Sequence, residues 1–533
     1  MNLENILKHK SKSEVWNEYC WFLNIGIEEF MDIQFRLMEE QMNIWLKSGI
    51  GKIFLNDKQF VSVNEFREKM PLTRYDDYAT LLESKDPRLL PSEPILWIQT
   101  TRDGARGTNK YAPYSKGMLE TFQKNAIACL LISTSNDKNS FDVKAGDKVL
   151  YALAPLPYAT GLMPVLFGNE IHLEYLPDVK TAQSMGFRER NKEGFKLALK
   201  SNVDFLFGLG SVVYSISQDF TSYLMNSSSK NSSVFSFKPS MLYKMLNAKR
   251  KNKKNGTQIY PKDIFDLKGF MIAGTDNKYY KDELEKMWGI RPLELFAGTE
   301  PTLIGTETNS RNGLVFFPDA CFYEFISIDE REKESNTYGY SPKTVLFNEL
   351  TEGEIYEIVI SVFKGGAFVR YRVGDLYKCL SNPIGKQTLP KMEYIDRVTD
   401  VIDIGGFTRI TCEGVEEILT LSGIRYEGWI ISKELSESGK PFLHLYLELK
   451  KDYSTSRIVN REILKTIVSV FLKFIDQDYD NLKKITGVDP LHVSILQIGS
   501  FDAYSSKFKR NLRKINPARM DIENLLNILK DRR

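Results

Sequence analysis

Apolar residues recur three and four positions apart through the first fifty residues: Trp16, Cys20, Phe22, Leu23, Ile27 and Phe30, then Ile33, Leu37 and Met42. That period predicts amphipathic helix with an apolar stripe turned to a core. Residues 60–82 continue as short helices punctuated by Pro71. The pattern then changes. Residues 95–101, 148–151, 203–207 and 270–276 are short apolar runs, each ending in a turn or a glycine, and predict buried strands. Residues 196–202 read as helix, and 353–360 alternate as a strand with one wet face. Strands alternating with helices in this way predict a mostly parallel sheet covered on both faces. Residues 149–168 carry no charge and match a membrane span in length. Pro155, Pro157 and Pro164 break any helix there, so a buried strand leading into a pocket-lining loop is the better reading.

The richest stretch runs from 364 to 417. A strand-like run, 368–372, is broken at Gly374 and followed at once by Asp375. A second, 392–395, ends in Asp396 and Arg397, and a third, 401–404, runs into Gly405 and Gly406. Acids and arginines placed where strands stop are held by a rigid scaffold and still face a cleft. An acid there can accept both hydroxyls of a ribose, and an arginine can hold a phosphate or the same sugar. Upstream, residues 102–110 form a glycine-spaced turn after a strand and end in Lys110, the composition of a phosphate cradle. Tyr158-Ala159-Thr160-Gly161 and Gly208-Leu209-Gly210-Ser211 also follow strands, where ligands sit in open α/β sheets. Beyond residue 400, helices at 414–421 and 461–475 and strands at 426–432, 442–449 and 493–498 predict a small α+β domain.

Composition narrows the class. At 533 residues the chain should hold more than one domain, and 42% hydrophobic residues supply a large core. A net charge of +3 argues against a dedicated nucleic-acid or membrane-surface protein, and the basic run at 249–254 reads as a solvated insertion. Cys20, Cys129, Cys321, Cys379 and Cys412 are scattered and odd in number, which fits reduced thiols in a cytoplasmic protein. His9, His172, His444 and His492 are isolated and show no zinc-site spacing. The first eighteen residues are charged throughout, unlike a signal peptide.

Tyr371-Arg372-Val373-Gly374-Asp375, with Arg397, Asp400 and Gly406 at these spacings, resembles the adenylate-forming superfamily of acyl-CoA synthetases, luciferases and peptide-synthetase adenylation domains. The longer run Arg-Val-Thr-Asp-Val-Ile-Asp-Ile-Gly-Gly-Phe-Thr-Arg-Ile from Arg397 is most similar to the plant auxin-responsive acyl-acid amido synthetases (Gretchen Hagen type) and their microbial relatives. The resemblance implies an α/β fold: a large N-terminal domain with mixed, mostly parallel sheets covered by helices, plus a small mobile C-terminal α+β domain. Residues 1–396 would form the first, 397–400 a hinge and 401–533 the second. It implies ATP and Mg2+ as cofactors, and as partners a small carboxylic acid and an amino acid or CoA, with no nucleic acid and no membrane.

The resemblance also implies roles. Gly104, Gly107 and Lys110 fall on the glycines and lysine of the superfamily's phosphate loop. Arg102, Asp103, Ala105 and Arg106 stand where that loop has Thr or Ser, and Arg102 and Arg106 can substitute as charged donors. Ala273 and Gly274 would lie beside the adenine. In the run Phe296-Ala297-Gly298-Thr299-Glu300, Phe296 would stack on the base, Thr299 would donate to the α-phosphate and Glu300 would take the magnesium. Asp375 and Arg397 would hold the ribose. Tyr158, Thr160, Gly161, Gly208, Gly210 and Ser211 would line the acid pocket. Lys507, in a Ser-Ser-Lys sequence taken as a loop, would be the catalytic lysine, with Lys514 as competitor. The implied reaction forms an acyl-adenylate and transfers its acyl group to an amino acid; an acyl-CoA ligase is the alternative. The altered loop admits a third reading, a relative that binds nucleotide or acid as a sensor.

Overall fold

A computed structural model describes the chain except residues 1, 56–59, 100–109, 138–139, 219, 222–223, 225–237, 257, 338, 383–387, 398–400, 405–407, 438, 457–459, 476–478, 480–481, 483–487, 509–511, 518 and 530–533. Contacts divide it into two compact units that meet in sequence between residues 396 and 397.

In the larger unit β1 (Leu96–Gln99) and β2 (Tyr111–Tyr114) pair antiparallel, Leu96 opposite Tyr114. The strands that follow are β3 (Lys148–Ala152), β4 (Glu174–Leu176), β5 (Phe205–Leu209), β6 (Gly269–Ala273), β7 (Leu293–Gly298) and β8 (Thr302–Glu307). After them come β9 (Leu314–Phe316), β10 (Cys321–Ser327), β11 (Val345–Leu346), β12 (Ile355–Val362), β13 (Tyr371–Ser381) and β14 (Lys391–Arg397). These last twelve form one mixed sheet in the order β11-β10-β12-β13-β14-β9-β8-β7-β6-β5-β3-β4. From β4 to β7 the pairs are parallel, and from β7 onward those with a recorded register are antiparallel.

The parallel half shows why those apolar runs become strands. Val149, Tyr151, Phe205, Phe207 and Met271 turn to one core with the helix Lys116–Thr134, while Leu150, Leu206, Phe270 and Ile272 turn to another with Phe195, Leu199 and Trp288. Strands buried on both faces need apolar residues at every position. The helix Phe187–Ser201 starts earlier than the 196–202 pattern suggests. The glycine at 208 lies inside β5 instead of ending it: a Cβ there would sit 2.4 Å from Val213, so only glycine lets the following helix pack so closely. In the uncharged stretch the strand stops at Ala152, and Leu162–Gly168 is helix, not loop. Pro164 falls in the first turn of that helix, where a missing N–H costs nothing.

On the antiparallel half the helix Ile27–Lys47 braces the segment before β13. Gln41 Nε2 donates to Gly366 O at 2.8 Å, Gly365 N–H donates back to Gln41, and Trp45 Nε1 donates to Ala367 O at 2.8 Å. Residues 368–370 are consequently held outside the sheet, and β13 begins only at Tyr371. It does not break at Gly374. Instead Val359 faces Arg372 and Glu357 faces Leu376, so three residues, 373–375, oppose the single residue Ile358 in a bulge. Gly374 sits there at φ +83°, a left-handed conformation that glycine adopts at no steric cost.

Two buried ionic clusters fix the start of β13. Arg370 pairs with Glu324 at 3.1 Å and donates to the carbonyls of Arg67 and Met70. Arg372 pairs with Glu357 at 2.7 Å and with Glu334 at 2.6 Å, and Arg331 adds a second cation on Glu357 at 3.3 Å.

The smaller unit holds the pair β15 (Val401–Ile404) and β16 (Thr408–Thr411) and a sheet β17 (Tyr426–Leu435), β18 (Pro441–Leu449) and β19 (Leu491–Ile495). β17 and β18 run antiparallel and β19 parallel to β18. One face, with Leu443, Leu445 and Leu447, packs on Leu464, Val468 and Leu472 of the helix Arg461–Ile475. The other, with Ile430, Tyr446 and Leu496, packs on Tyr504 of the helix Ser500–Phe508 and on Ile522 and Leu525 of the helix Arg519–Asn527. No helix among the described residues is long and apolar enough to cross a membrane.

Arg372→Met should destabilise the protein by about 3 kcal/mol in urea unfolding, because it leaves the buried Glu357 with Arg331 alone and the half-buried Glu334 without its partner. A pH effect accompanies the neighbouring cluster. Burial pushes the Glu324 carboxyl up, but Arg370 and Arg67 outweigh it and hold the group below the ordinary carboxylate value. Its contribution is therefore present above the unfolded-state value and lost as pH falls through the folded one. Wild-type protein should lose unfolding midpoint on acidification below about pH 4 more steeply than Glu324→Gln.

Candidate functional site

The carboxyl ends of β3, β5, β6 and β7 lie side by side, and most of the candidate residues follow from that. After β3, Tyr158, Thr160 and Gly161 form a tight turn and short 3-10 helix, Ala159–Gly161. Thr160 Oγ1 donates to Ala154 O at 2.9 Å, and Tyr151 donates its hydroxyl to Thr160 O. The end of β1 is tied to the same loop, since Gln99 N–H donates to Pro157 O at 3.0 Å.

After β5 the chain turns directly into the helix Gly210–Gln218, with Gly210 and Ser211 in its first turn. After β6, Ala273 is buried and Gly274 takes φ +103° to start the next turn. Asn277 ties these ends together: its Nδ2 donates to Gly274 O at 2.8 Å and to Glu294 Oε1 at 3.3 Å. Its Oδ1 points at Gly210, where an added Cβ would come within 2.4 Å, and accepts no hydrogen bond from the described residues although Asn277 is only 2% exposed. Gly210 thus leaves room for an acceptor at the mouth of the parallel sheet.

The turn between β7 and β8 presents Thr299 and Glu300. Tyr114, at the end of β2, donates its hydroxyl to Thr299 O at 2.7 Å, and Tyr371 donates to Glu300 Oε1 at 2.8 Å. Burial, with a smaller push from the Glu300 charge, raises the Tyr114 phenol well above its ordinary value, so it stays a neutral donor. Glu300 is 8% exposed. A buried carboxylate with one oxygen held by a phenol is a hard oxygen ligand fixed in place, which suits magnesium.

Phe296 is placed differently from an open stacking platform. It is 6% exposed, its ring lies stacked against Tyr394 at 5.5 Å, and Tyr377 meets it edge-on at 5.2 Å. The sheet switches pairing here, with a register shift between Phe296 and Ala297 that leaves Ala297 exposed. Asp375, carried on the bulge and 3% exposed, adjoins the same aromatic group: burial and then its charge raise the Tyr377 phenol. Glu300 and Lys110 are linked through a second aromatic chain. Tyr371 packs on Phe368 at 4.8 Å, Phe368 on Tyr75 at 6.4 Å, and Lys110 Nζ lies 5.2 Å over the Tyr75 ring.

The remaining candidates fall elsewhere. Gly104, Arg106 and Gly107 lie outside the described residues, as do Asp400 and Gly406. Arg397 ends β14 and groups with the smaller unit. Lys507 is also in the smaller unit, on the exposed side of the helix Ser500–Phe508 and 5.5 Å over the Phe508 ring. The expected loop is helix because Phe501, Tyr504 and Phe508 give the segment a helical apolar stripe against the sheet. Lys514 is in an extended segment that pairs with β17, Ile431 N–H donating to its carbonyl at 2.8 Å. Its ammonium pairs with Glu416, which raises its proton affinity, and lies 5.1 Å over Trp429. The motifs carry no signal of the parts that Tyr371, Tyr114 and Asn277 play here. Tyr371 is findable only from its place beside the Gly-Asp bulge; the other two carry no local signal.

The model of the GH3 family central domain matches residues 314–397. No curated protein matches the chain. Among solved structures, the AtGH3.15 acyl acid amido synthetase in complex with 2,4-DB is similar over 94% of this chain and 94% of its own, at 14% identity and a TM-score of 0.53. A 2-hydroxyisobutyryl-CoA ligase, solved with 2-HIB-AMP and CoA in the thioesterification state, is similar over 96% of this chain and 94% of its own, at 14% identity and a TM-score of 0.56. At these identities the likeness is one of fold, and the superfamily and family that the motifs resemble are the ones these comparisons return.

Gly210→Ala should cost about 1–3 kcal/mol in urea unfolding, since the new methyl displaces a buried amide that is held by two other bonds.

Proposed function

Proceeding from the adenylate-forming fold and the match to the GH3 central domain, we propose that this protein activates a carboxylic acid with ATP and passes the acyl group to an amino acid. The observation that carries the reading is the coupling of the Glu300 turn to the root of β13. Tyr371 holds Glu300, and three residues on, Gly374 bulges the strand to set Asp375 beside the aromatic group around Phe296. Two buried carboxylates are thus fixed, Glu300 in the turn after β7, the last of the parallel strands, and Asp375 beside the aromatic group, and nucleotides bind at the carboxyl ends of the strands in such folds.

In this reading the acid's carboxylate attacks the α-phosphate of ATP, pyrophosphate leaves, and the mixed anhydride then acylates the amine. Asp375 accepts the ribose hydroxyls, joined by Arg397. Thr299 donates to the α-phosphate, and Phe296 with Ala273 and Gly274 forms the wall beside the base. Lys110, with Gly104, Arg106 and Gly107, meets the leaving phosphates. Glu300 holds magnesium, which when bound supplies positive charge against the phosphate oxygens. Tyr158, Thr160, Gly161, Gly208, Gly210 and Ser211 receive the acid. Lys507 supplies the second cation, and residues 397–400 act as hinge between the two steps. Charge grows at the α-phosphate as the bond forms, so cations there lower the barrier more than they tighten substrate binding.

An acyl-CoA ligase is the second reading, favoured by the fold similarity to a CoA ligase along nearly the whole chain. ATP–pyrophosphate exchange across a panel of carboxylic acids tests the first step common to both, and amino acids or CoA added afterwards separate them. We expect exchange with at least one acid and a fall of about 100-fold or more in Glu300→Gln. Absence of exchange with every acid, in protein that still binds ATP, would sink the catalytic reading and leave a sensor.

A further inference from the structure

The smaller unit carries a second group of reactive side chains. β17, β18 and β19 place Ser432 opposite His444, His444 opposite His492, and Tyr446 opposite Ser494, all on one face of the sheet. On that face the apolar half around Ile430 and Tyr446 is covered by the two C-terminal helices, and the polar half reaches its margin. There Glu434 Oε2 lies 2.9 Å from His444 Nδ1, and His444 Nε2 lies 2.9 Å from Ser494 Oγ. Tyr446 donates its hydroxyl to Glu434 Oε1 at 2.6 Å and Ser432 donates to the same oxygen at 2.9 Å.

We propose that Ser494, His444 and Glu434 form a serine-nucleophile site that cleaves carboxylic esters, apart from the nucleotide-site residues of the larger unit. The order is that of a nucleophile, a base within hydrogen-bond reach of it, and a carboxylate that orients the base. The proton assignment follows from the carboxylate. Burial pushes Glu434 up, but hydrogen bonds from His444 and Tyr446 and the charge of His444 bring it down to about 2. An ionised carboxylate only accepts, so Nδ1 must carry the hydrogen it shares with Glu434. In the neutral ring Nε2 is then the acceptor, aimed at the Ser494 hydroxyl.

The strand edge supplies a further element. Leu443 N–H donates to Pro490 O, and Leu496 N–H donates to Leu447 O, so the backbone groups of the even-numbered residues of β19 turn to β18. By alternation the N–H of Ile495, the residue after the nucleophile, points to the outer edge, where no described strand pairs with it. That N–H is placed to receive the negative charge of a tetrahedral intermediate, as the amide following the nucleophile does in serine hydrolases. The face is half-open: Ser494 and His444 are partly exposed and Ile495 is 40% exposed.

The chemistry balances without a cofactor. Ser494 Oγ bonds to the ester carbonyl carbon as its proton passes to His444 Nε2, and the C–O bond to the alcohol breaks as that proton goes to the leaving oxygen. Water then attacks the acyl-serine through the same base, releasing the acid and restoring the hydroxyl. Ser494 and His444 are the catalytic residues and Glu434 is a positioning residue.

The test uses the full chain with a fluorophosphonate probe, peptide mapping of the labelled site, and p-nitrophenyl acetate turnover. Ser494 is the expected labelled residue. Ser494→Ala should abolish labelling, and His444→Ala should slow it by about 100-fold. Glu434→Gln should slow it by about tenfold or more with an altered pH profile, a readout that loss of packing would not produce. Thermal unfolding checks that each variant is folded. Labelling at a different residue, no labelling of folded wild type, or an unchanged rate in His444→Ala would each overturn the proposal.

Discussion

The start of β13 is held by charge taken out of water. Arg370 and Arg372 are both nearly buried, and each is met by glutamates that are themselves buried, Glu324 and Glu357. Such pairs add little net stability over apolar residues of the same size, because desolvating both partners offsets most of their attraction. Their effect lies in register. Side chains alternate along a strand, so a slip of one residue would turn Arg372 into the aromatic group around Tyr78 and Phe368 and Tyr371 onto Glu357, while Arg370 is pinned to Glu324 just ahead of the strand. Buried guanidinium without a carboxylate is so costly that the slipped state is excluded. Everything the strand delivers, the Tyr371 hydroxyl on Glu300 and the bulge that carries Asp375, depends on that register.

Gln41, Trp45 and Thr73 reinforce the same point from outside the sheet. Gln41 and Trp45 bind the backbone of residues 365–367, and Thr73 bridges Arg370 and Arg372 through its own N–H and carbonyl, each at 2.9 Å. A helix at the start of the chain and a loop that follows it therefore fix the geometry of a turn three hundred residues later. This explains why the amphipathic helix Ile27–Lys47 carries two buried glutamines on an otherwise apolar stripe: Gln34 and Gln41 each cap backbone groups that no strand satisfies.

The sequence made the local features readable and left the converging ones hidden. Apolar runs located β3, β5 and β6 and the main sheet of the small α+β unit, because each depends on neighbours a few residues away, whereas the three-residue β4 is too short to show a pattern. The Gly-Asp pair was legible as chemistry, yet its conformation was not. A glycine with positive φ ends a strand or bulges it according to what the partner strand does, and that is set at Glu357 and Val359. Phe296 shows the same limit from the other side. Its motif implies a ring that stacks on a base, and no local pattern says that Tyr377 and Tyr394, from β13 and β14, pack against it. The resemblance implies a loop at Lys507, whereas Phe501, Tyr504 and Phe508 dictate a helix. Asn277 was invisible because its role depends on the absence of a side chain at Gly210.

The two sheets solve opposite problems with polar groups. In the larger unit, the buried arginines at the start of β13 sit where the backbone must be pinned, and each meets a carboxylate from a neighbouring strand. In the smaller unit, one face of the three-stranded sheet is mostly apolar, while the other changes from Ile430 and Tyr446 to Ser432, Glu434 and His444 within four residues of β17 and two of β18. Such a change leaves polar side chains beside a core, so they must satisfy one another. Glu434 does so by accepting from Ser432, Tyr446 and His444, which uses its lone pairs. A network closed in this manner fixes a single imidazole tautomer whatever its purpose. What lifts the arrangement above packing is where the chain of bonds ends: at a serine on an edge strand, partly open to solvent, whose next backbone N–H is directed outward.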